Sequence, residues 1–132
     1  MSNYSDQLDQ LNDGTLDAST FGHQDHIGVA YEALKRESLF DAMATVANGI
    51  AAAASRAGAP DKFNATITLA FMCEIAERME ARNFPDADSF IAANPDLLTG
   101  AILKRYSNGR AVTAQARRIA FLPDLALVVE RS

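Results

Sequence analysis

The sequence predicts an all-α fold, a single-domain helical bundle of three main helices with shorter helices toward the C-terminus. Apolar residues recur at helical spacing from residue 21 onward, and the only strand-like run cannot form a sheet by itself. The length of 132 residues fits one domain. The predicted parts are an acidic arm over 1–20, a helical domain over 21–124 and an apolar tail over 125–132.

The N-terminal arm is polar and acidic. Residues 1–20 contain four aspartates and neither lysine nor arginine, so we expect a flexible, loosely held segment. The first main helix is predicted over 23–36. One face of its 3.6-residue repeat carries a histidine followed by apolar side chains: His23, Ile27, Ala30, Tyr31 and Leu34.

The second and third main helices are predicted over 39–57 and 62–82. Gly58 and the proline two residues later end the second helix, and Gly49 is expected to weaken it by about 1 kcal/mol relative to alanine. The third helix has no charge between Lys62 and Glu74. We therefore expect it to be the central, buried helix.

Shorter helices follow, predicted from capping and turn residues over 86–93, 95–106 and 110–119. The run LALVV at 125–129 is the strand-like segment, and we expect it to lie as an apolar strap across the helices.

Composition narrows the classes of function. Cys73 is the only cysteine, which excludes an internal disulfide and suits a cytoplasmic location. No apolar run is long enough to span a membrane, and the acidic N-terminus is unlike a signal peptide. A net charge of −5 disfavours nucleic-acid binding. No glycine-rich phosphate loop or nucleophile elbow is present, and no cofactor is predicted.

A histidine pair is the first candidate for chemistry. His23 and His26 are three residues apart at the predicted start of the first helix, which puts their imidazoles on neighbouring positions of one face. Imidazoles can act as a general acid or base, orient a polar ligand or bind a metal. Because the chain has no third histidine, no metal site is predicted. The alternative is structural, with both rings hydrogen-bonded to nearby groups.

Polar residues on the buried third helix are the second candidate. Asn64 faces inward on the line of Ile67 and Phe71, either as a ligand-binding amide or as the N-cap of the helix. Thr68, like Thr66, is expected to bond back to a carbonyl of the preceding turn. For Glu74 we expect either an ion pair with Arg78 or a carboxylate in a pocket, with a pKa raised by burial.

The C-terminal quarter is basic. Between Asp96 and Asp124 there are five basic residues and no acidic one. Arg105 is the member predicted to bind a ligand, a phosphate or a carboxylate held by the guanidinium fork. Attraction of the acidic surface of a second copy and a solvated, charge-balancing face are the alternatives.

Three segments together resemble a family of small bacterial helical proteins of uncharacterised function. They are FGHQDHI at 21–27, KFNATIT at 62–68 and PDLL at 95–98, and the resemblance spans about residues 20–124. Such proteins have a histidine pair ahead of an amphipathic helix, and often His-Glu-Thr where this chain has Asn64-Ala65-Thr66. That departure removes a third imidazole and a carboxylate, and the resemblance implies no reaction.

Three hypotheses of function follow. The first is a small-molecule site between the first and third main helices, for a small polar or anionic ligand, with His23 and His26 as ligand-orienting or acid/base groups. Asn64, Thr68, Glu74 and Arg105 would bind the ligand. The second is a non-catalytic module that forms a homodimer or binds a partner through its alanine-rich helix and tail. The third is a metal-binding bundle.

Overall fold

The architecture is all-α, as the sequence predicted. A computed structural model describes residues 3–125, and these contain six α-helices and no strand. The helices are α1 (Tyr4–Asp13), α2 (His23–Arg36), α3 (Leu39–Arg56), α4 (Ala65–Ala81), α5 (Ala87–Ala93) and α6 (Ala114–Arg118). Short 3₁₀ segments connect them at Ala18–Thr20, Pro60–Lys62, Pro95–Leu98, Ala101–Arg105 and Arg110–Val112.

Local capping explains where the long helices begin and end. Before α2, the backbone N–H of Gly22 donates to the Asp25 carboxylate at 2.8 Å, which closes the first turn. After α3, Gly58 adopts a left-handed conformation with φ of 74° that ends the helix. The α4 helix starts three residues later than predicted, because Asn64 caps it: its Oδ1 accepts from the N–H of Ile67 at 2.9 Å.

The N-terminal segment corrects the sequence prediction of a loosely held arm over 1–20. Residues 4–13 form α1, which packs against α2 and α3 and buries Tyr4, Leu8 and Leu11. These residues are spaced at i, i+4 and i+7, so the helix has one apolar face despite its aspartates. The Arg36 guanidinium also donates to Asp9 at 2.7 Å. The described body therefore includes a packed helix that the prediction of three main helices omitted.

Two helical glycines make room for α1. A Cβ at Gly28 would lie 2.2 Å from Cδ1 of Tyr4, and one at Gly49 would lie 2.5 Å from Cγ of Leu11. The side chains of α1 therefore rest directly on the backbones of α2 and α3. Gly49, predicted only to weaken its helix, permits this close approach.

The C-terminal region is less regular than predicted. The helix expected over 95–106 is two 3₁₀ segments separated by Thr99 and Gly100, and the one expected over 110–119 is a 3₁₀ turn followed by α6. The Thr113 hydroxyl caps α6 by accepting from the N–H of Ala116 at 3.0 Å, so a new helix begins there. The predicted strap at 125–129 lies, after Leu125, outside the described residues. Within residues 3–125 no helix has the length and apolar character needed to cross a membrane.

Candidate functional site

A pocket of about 270 Å³ lies between α2, α3 and α4. Its wall is apolar and is formed mainly by Ile27, Ile67, Phe71, Met72 and Ile75. Five polar side chains also line it: His23, His26, Lys62, Asn64 and Thr68. Four of these five belong to the predicted site, and the structure brings them together at the first turns of α2 and α4. The pocket combines a hydrophobic wall with a few polar groups, as ligand sites generally do.

One ring nitrogen of His26 is hydrogen-bonded, and the other has no hydrogen-bond partner among the described residues. Its Nδ1 is 2.8 Å from the carbonyl oxygen of Gly22, and a carbonyl only accepts, so Nδ1 carries the proton. Burial, with a contribution from nearby His23, lowers the pKa of His26. The imidazole is therefore neutral at pH 7, and its Nε2 keeps a lone pair that can accept a hydrogen bond or a proton.

His23 lies at the rim of the same pocket and is more exposed. Its Nε2 donates to the carbonyl oxygen of Leu97 at 2.9 Å, and its ring meets Phe71 edge to face at 5.1 Å between centroids. Both histidines thus reach one pocket, and both also bond to a backbone carbonyl. The hydrogen bonds are those of the structural interpretation, and the same two rings also line the pocket.

Asn64 and Thr68 shape the wall beside the histidines. Both polar atoms of the Asn64 amide have a partner, since its Oδ1 caps α4 and its Nδ2 donates one N–H to the carbonyl oxygen of Ala111 at 2.7 Å. The Thr68 hydroxyl donates to the carbonyl oxygen of Asn64 at 2.8 Å, the back-bond that was predicted. Asn64 is therefore the N-cap, and Thr68 retains only its hydroxyl lone pairs for a ligand.

Glu74 and Arg105, predicted to bind a ligand, do not line this pocket. Glu74 lies ten residues after Asn64, about 15 Å further along α4. Its carboxylate accepts from Arg78 at 2.8 Å and from Arg105 at 2.6 Å. Arg78 also binds Asp96 at 2.7 Å. These residues hold the 95–106 region against α4 and form an ion-pair cluster apart from the histidines.

Of the two alternatives predicted for Glu74, the ion pair with Arg78 is confirmed and the raised pKa is wrong. Burial does raise the pKa of this carboxyl, but the hydrogen bonds and charges of Arg78 and Arg105 outweigh it and lower the pKa below its ordinary value. Glu74 is therefore ionised at neutral pH. The pairing with Arg78, the simpler alternative, is the one that the structure contains.

Sequence reasoning missed Thr66 as the anchor beneath the site. Its hydroxyl was expected to bond back within the helix. The hydroxyl is buried and bonds to the C-terminal segment instead. It donates to the carbonyl oxygen of Ala116 at 2.8 Å and accepts from the N–H of Phe121 at 2.9 Å. A threonine in an uncharged helix half indicates a buried hydroxyl, but partners 50 and 55 residues away are not visible in the local sequence.

Lys62 was likewise not among the predicted site residues. It precedes Asn64 at the mouth of the pocket, and none of the ion pairs within residues 3–125 uses it. Its only signal in the sequence was its position as the last charge before the apolar half of α4. The neighbouring Asp61 carbonyl accepts from Arg117 at 2.6 Å, so a second cation lies next to this segment.

No group of three or more His, Cys, Asp or Glu side chains in the described part of the chain is arranged to hold a metal ion. No protein-family model, curated protein or solved structure matches the chain.

Proposed function

We propose that the chain binds a small, largely apolar molecule in the pocket between α2, α3 and α4, and that His26 orients it through Nε2. The observation that carries this proposal is the convergence of both imidazoles on an apolar pocket of about 270 Å³. That volume equals roughly nine waters at about 30 Å³ each, so the ligand has on the order of ten non-hydrogen atoms.

His26 supplies the specificity in this proposal. A ligand hydroxyl or N–H that enters the pocket finds a neutral Nε2 with a lone pair, on a ring fixed by its bond to Gly22. If the bound molecule carries an acidic proton, the same nitrogen is the base that would take it. His23, whose Nε2 is bound to Leu97, contributes its ring to the rim.

Two probes of equal size test the site. In para-cresol a hydroxyl replaces one methyl of para-xylene, so the pair differs by a single donor. We expect both to shift the amide NMR signals of Ile67 and Thr68, and para-cresol to bind several-fold more tightly because it donates to Nε2. His26→Asn keeps a donor for the Gly22 carbonyl but removes Nε2, and it should abolish that preference while leaving para-xylene binding intact.

The control is Cys73→Ser, an exposed position of α4 outside the pocket. It should change neither affinity. Failure of both probes to shift pocket signals would overturn the proposal, and an undiminished para-cresol preference in His26→Asn would remove His26 from it.

A homodimer is the second candidate function, and an exposed aromatic residue favours it. Phe40, in the first turn of α3, is 79% exposed, and its neighbour Leu39 is also exposed. If this patch pairs two copies, Phe40→Glu should convert a dimer to a monomer in light scattering of the full chain. Leu122→Glu, at another exposed apolar side chain, is the control. A monomeric wild-type chain at high concentration would eliminate this candidate.

A further inference from the structure

We propose that the ligand of the pocket carries one carboxylate, which pairs with the Lys62 ammonium at the mouth while the apolar body enters the wall of Ile67 and Phe71. This inference rests on the proposed function, because it assumes that the pocket binds a small molecule. It adds the chemical class, a small apolar monocarboxylate.

Lys62 brings a positive charge to the lining of the pocket. The pocket's titratable side chains are His23, His26 and Lys62, and no carboxylate is among them. The whole chain is acidic, with 17 Asp and Glu against 12 Lys and Arg. The net charge of the chain therefore repels an anion, and it is the local Lys62, with no carboxylate in the lining, that favours an anion over a cation at this mouth.

Lys62 is available for this role. It is exposed, and no carboxylate of residues 3–125 lies within ion-pair distance of it. The carboxylates nearest in sequence to the lining residues, those of Asp25 and Asp61, are not part of the lining, and Asp25 accepts from the Gly22 N–H. Arg117, bonded to the Asp61 carbonyl, adds a second positive charge beside Lys62.

The apolar wall limits the ligand to one charged end. Ile67, Phe71, Met72 and Ile75 offer no hydrogen-bonding side chain, so a second charge placed there would lose its hydration without compensation. A dicarboxylate or a sugar phosphate is therefore excluded from the deep part of the pocket. An aromatic or short aliphatic monocarboxylate fits both the lysine and the apolar wall, and a hydroxyl or N–H on its body is the group that donates to Nε2 of His26.

The test compares para-toluate with para-toluamide, which match in shape and differ in charge. NMR titration of the full chain at low ionic strength should give para-toluate about a fivefold lower Kd, the size expected of an ion pair at an exposed rim. Lys62→Met should raise the Kd of para-toluate to that of para-toluamide and leave the amide unchanged. Lys104→Met, at an exposed lysine outside the pocket, should change neither Kd.

The outcomes separate this inference from the proposed function. Equal binding of the two probes would overturn the carboxylate inference and leave a site for neutral apolar molecules. A para-toluate preference that survives Lys62→Met would overturn the assignment to Lys62. If neither these probes nor para-cresol and para-xylene shift the pocket signals, both proposals fail together.

Discussion

The two sides of α2 differ in how they are closed. On the α1 side, Tyr4 lies against Gly28 so closely that a Cβ would not fit between them. On the α4 side, Ile27 and Ala30 of the same helix face a pocket, and polar bonds made by His23 and His26 surround its mouth. One helix therefore has a close-packed interface and an open one on adjacent faces.

This difference shows where the chain can accept added volume. Close packing makes an interface sensitive to a single methyl group, whereas a pocket can take one in. The helices around the pocket depend instead on hydrogen bonds at their ends, above all those of Asn64 and Thr66 to the C-terminal segment. The following variants test the close packing on the α1 side and the hydrogen bonds on the α4 side, in order of expected effect.

Gly28→Ala should cause the largest loss. The added methyl meets the Tyr4 ring, and we expect the free energy of unfolding to fall by about 2–3 kcal/mol in urea denaturation. Gly100→Ala is the control, because nothing lies within 4 Å of a Cβ there. In a Tyr4→Ala background the penalty should disappear, since alanine is the better helix former by about 1 kcal/mol. A full penalty in that background would contradict the packing explanation.

Thr66→Val should destabilise the α4 side by about 1–2 kcal/mol. The change keeps the shape but leaves the N–H of Phe121 and the carbonyl of Ala116 without their bonds. Thr68→Val is the matched control, two residues further along α4, where the hydroxyl bonds only to the carbonyl of the N-cap residue Asn64. Equal losses of stability for the two variants would show that the Thr66 bonds do not hold the C-terminal segment.

Val46→Ile and Val29→Ile compare the two environments directly. Val46 lines the pocket, so one more methylene should raise the free energy of unfolding by up to about 0.8 kcal/mol and weaken para-xylene binding. Val29 is fully buried in α2 away from the pocket lining, and the same methylene should cost about 1 kcal/mol or more. A rise in melting temperature for Val46→Ile and a fall for Val29→Ile would support the difference between the two interfaces of α2. Changes of the same sign in both variants would count against it.

The smallest effect concerns pH. Because the pKa of His26 is lowered in the folded chain, the unfolded chain binds more protons as the pH falls below about 6.5. The His26 contribution to stability is therefore complete above that pH and is lost on acidification toward the folded-state pKa. Between about pH 7.5 and about pH 5.5 the wild type should lose more stability than His26→Asn. A larger loss of stability in His26→Asn than in the wild type would contradict the lowered pKa of His26.

The sequence was most informative where the determinants were local. The bounds of α2 follow from the apolar stripe and from the Gly22–Asp25 turn, and both lie within a few residues. The convergence of His23, His26 and Asn64 was also predictable, since the two buried helix faces that carry them had to pack together.

The predictions that were wrong concern residues whose structure depends on partners far away in the sequence. The composition of the α1 segment predicts a loose arm, because the packing of its side chains on Gly28 and Gly49 cannot be inferred from that segment alone. The role of Glu74 was decided by Arg105, which is 31 residues away, and that of Thr66 by residues 116–121. Neither composition nor periodicity carries such pairings.

The sequence separation between Thr66 and its hydrogen-bond partners also determines when these bonds can form during protein synthesis. Its partner Phe121 is 55 residues later in the chain, so at about 5–20 residues per second the ribosome takes roughly 3–11 s to supply it. Until then the start of α4 has no C-terminal segment to bind, although α1, α2 and α3 have already been made. A nascent chain stopped before residue 111 therefore contains α1, α2, α3 and both imidazoles but lacks the segment to which Asn64 and Thr66 bond.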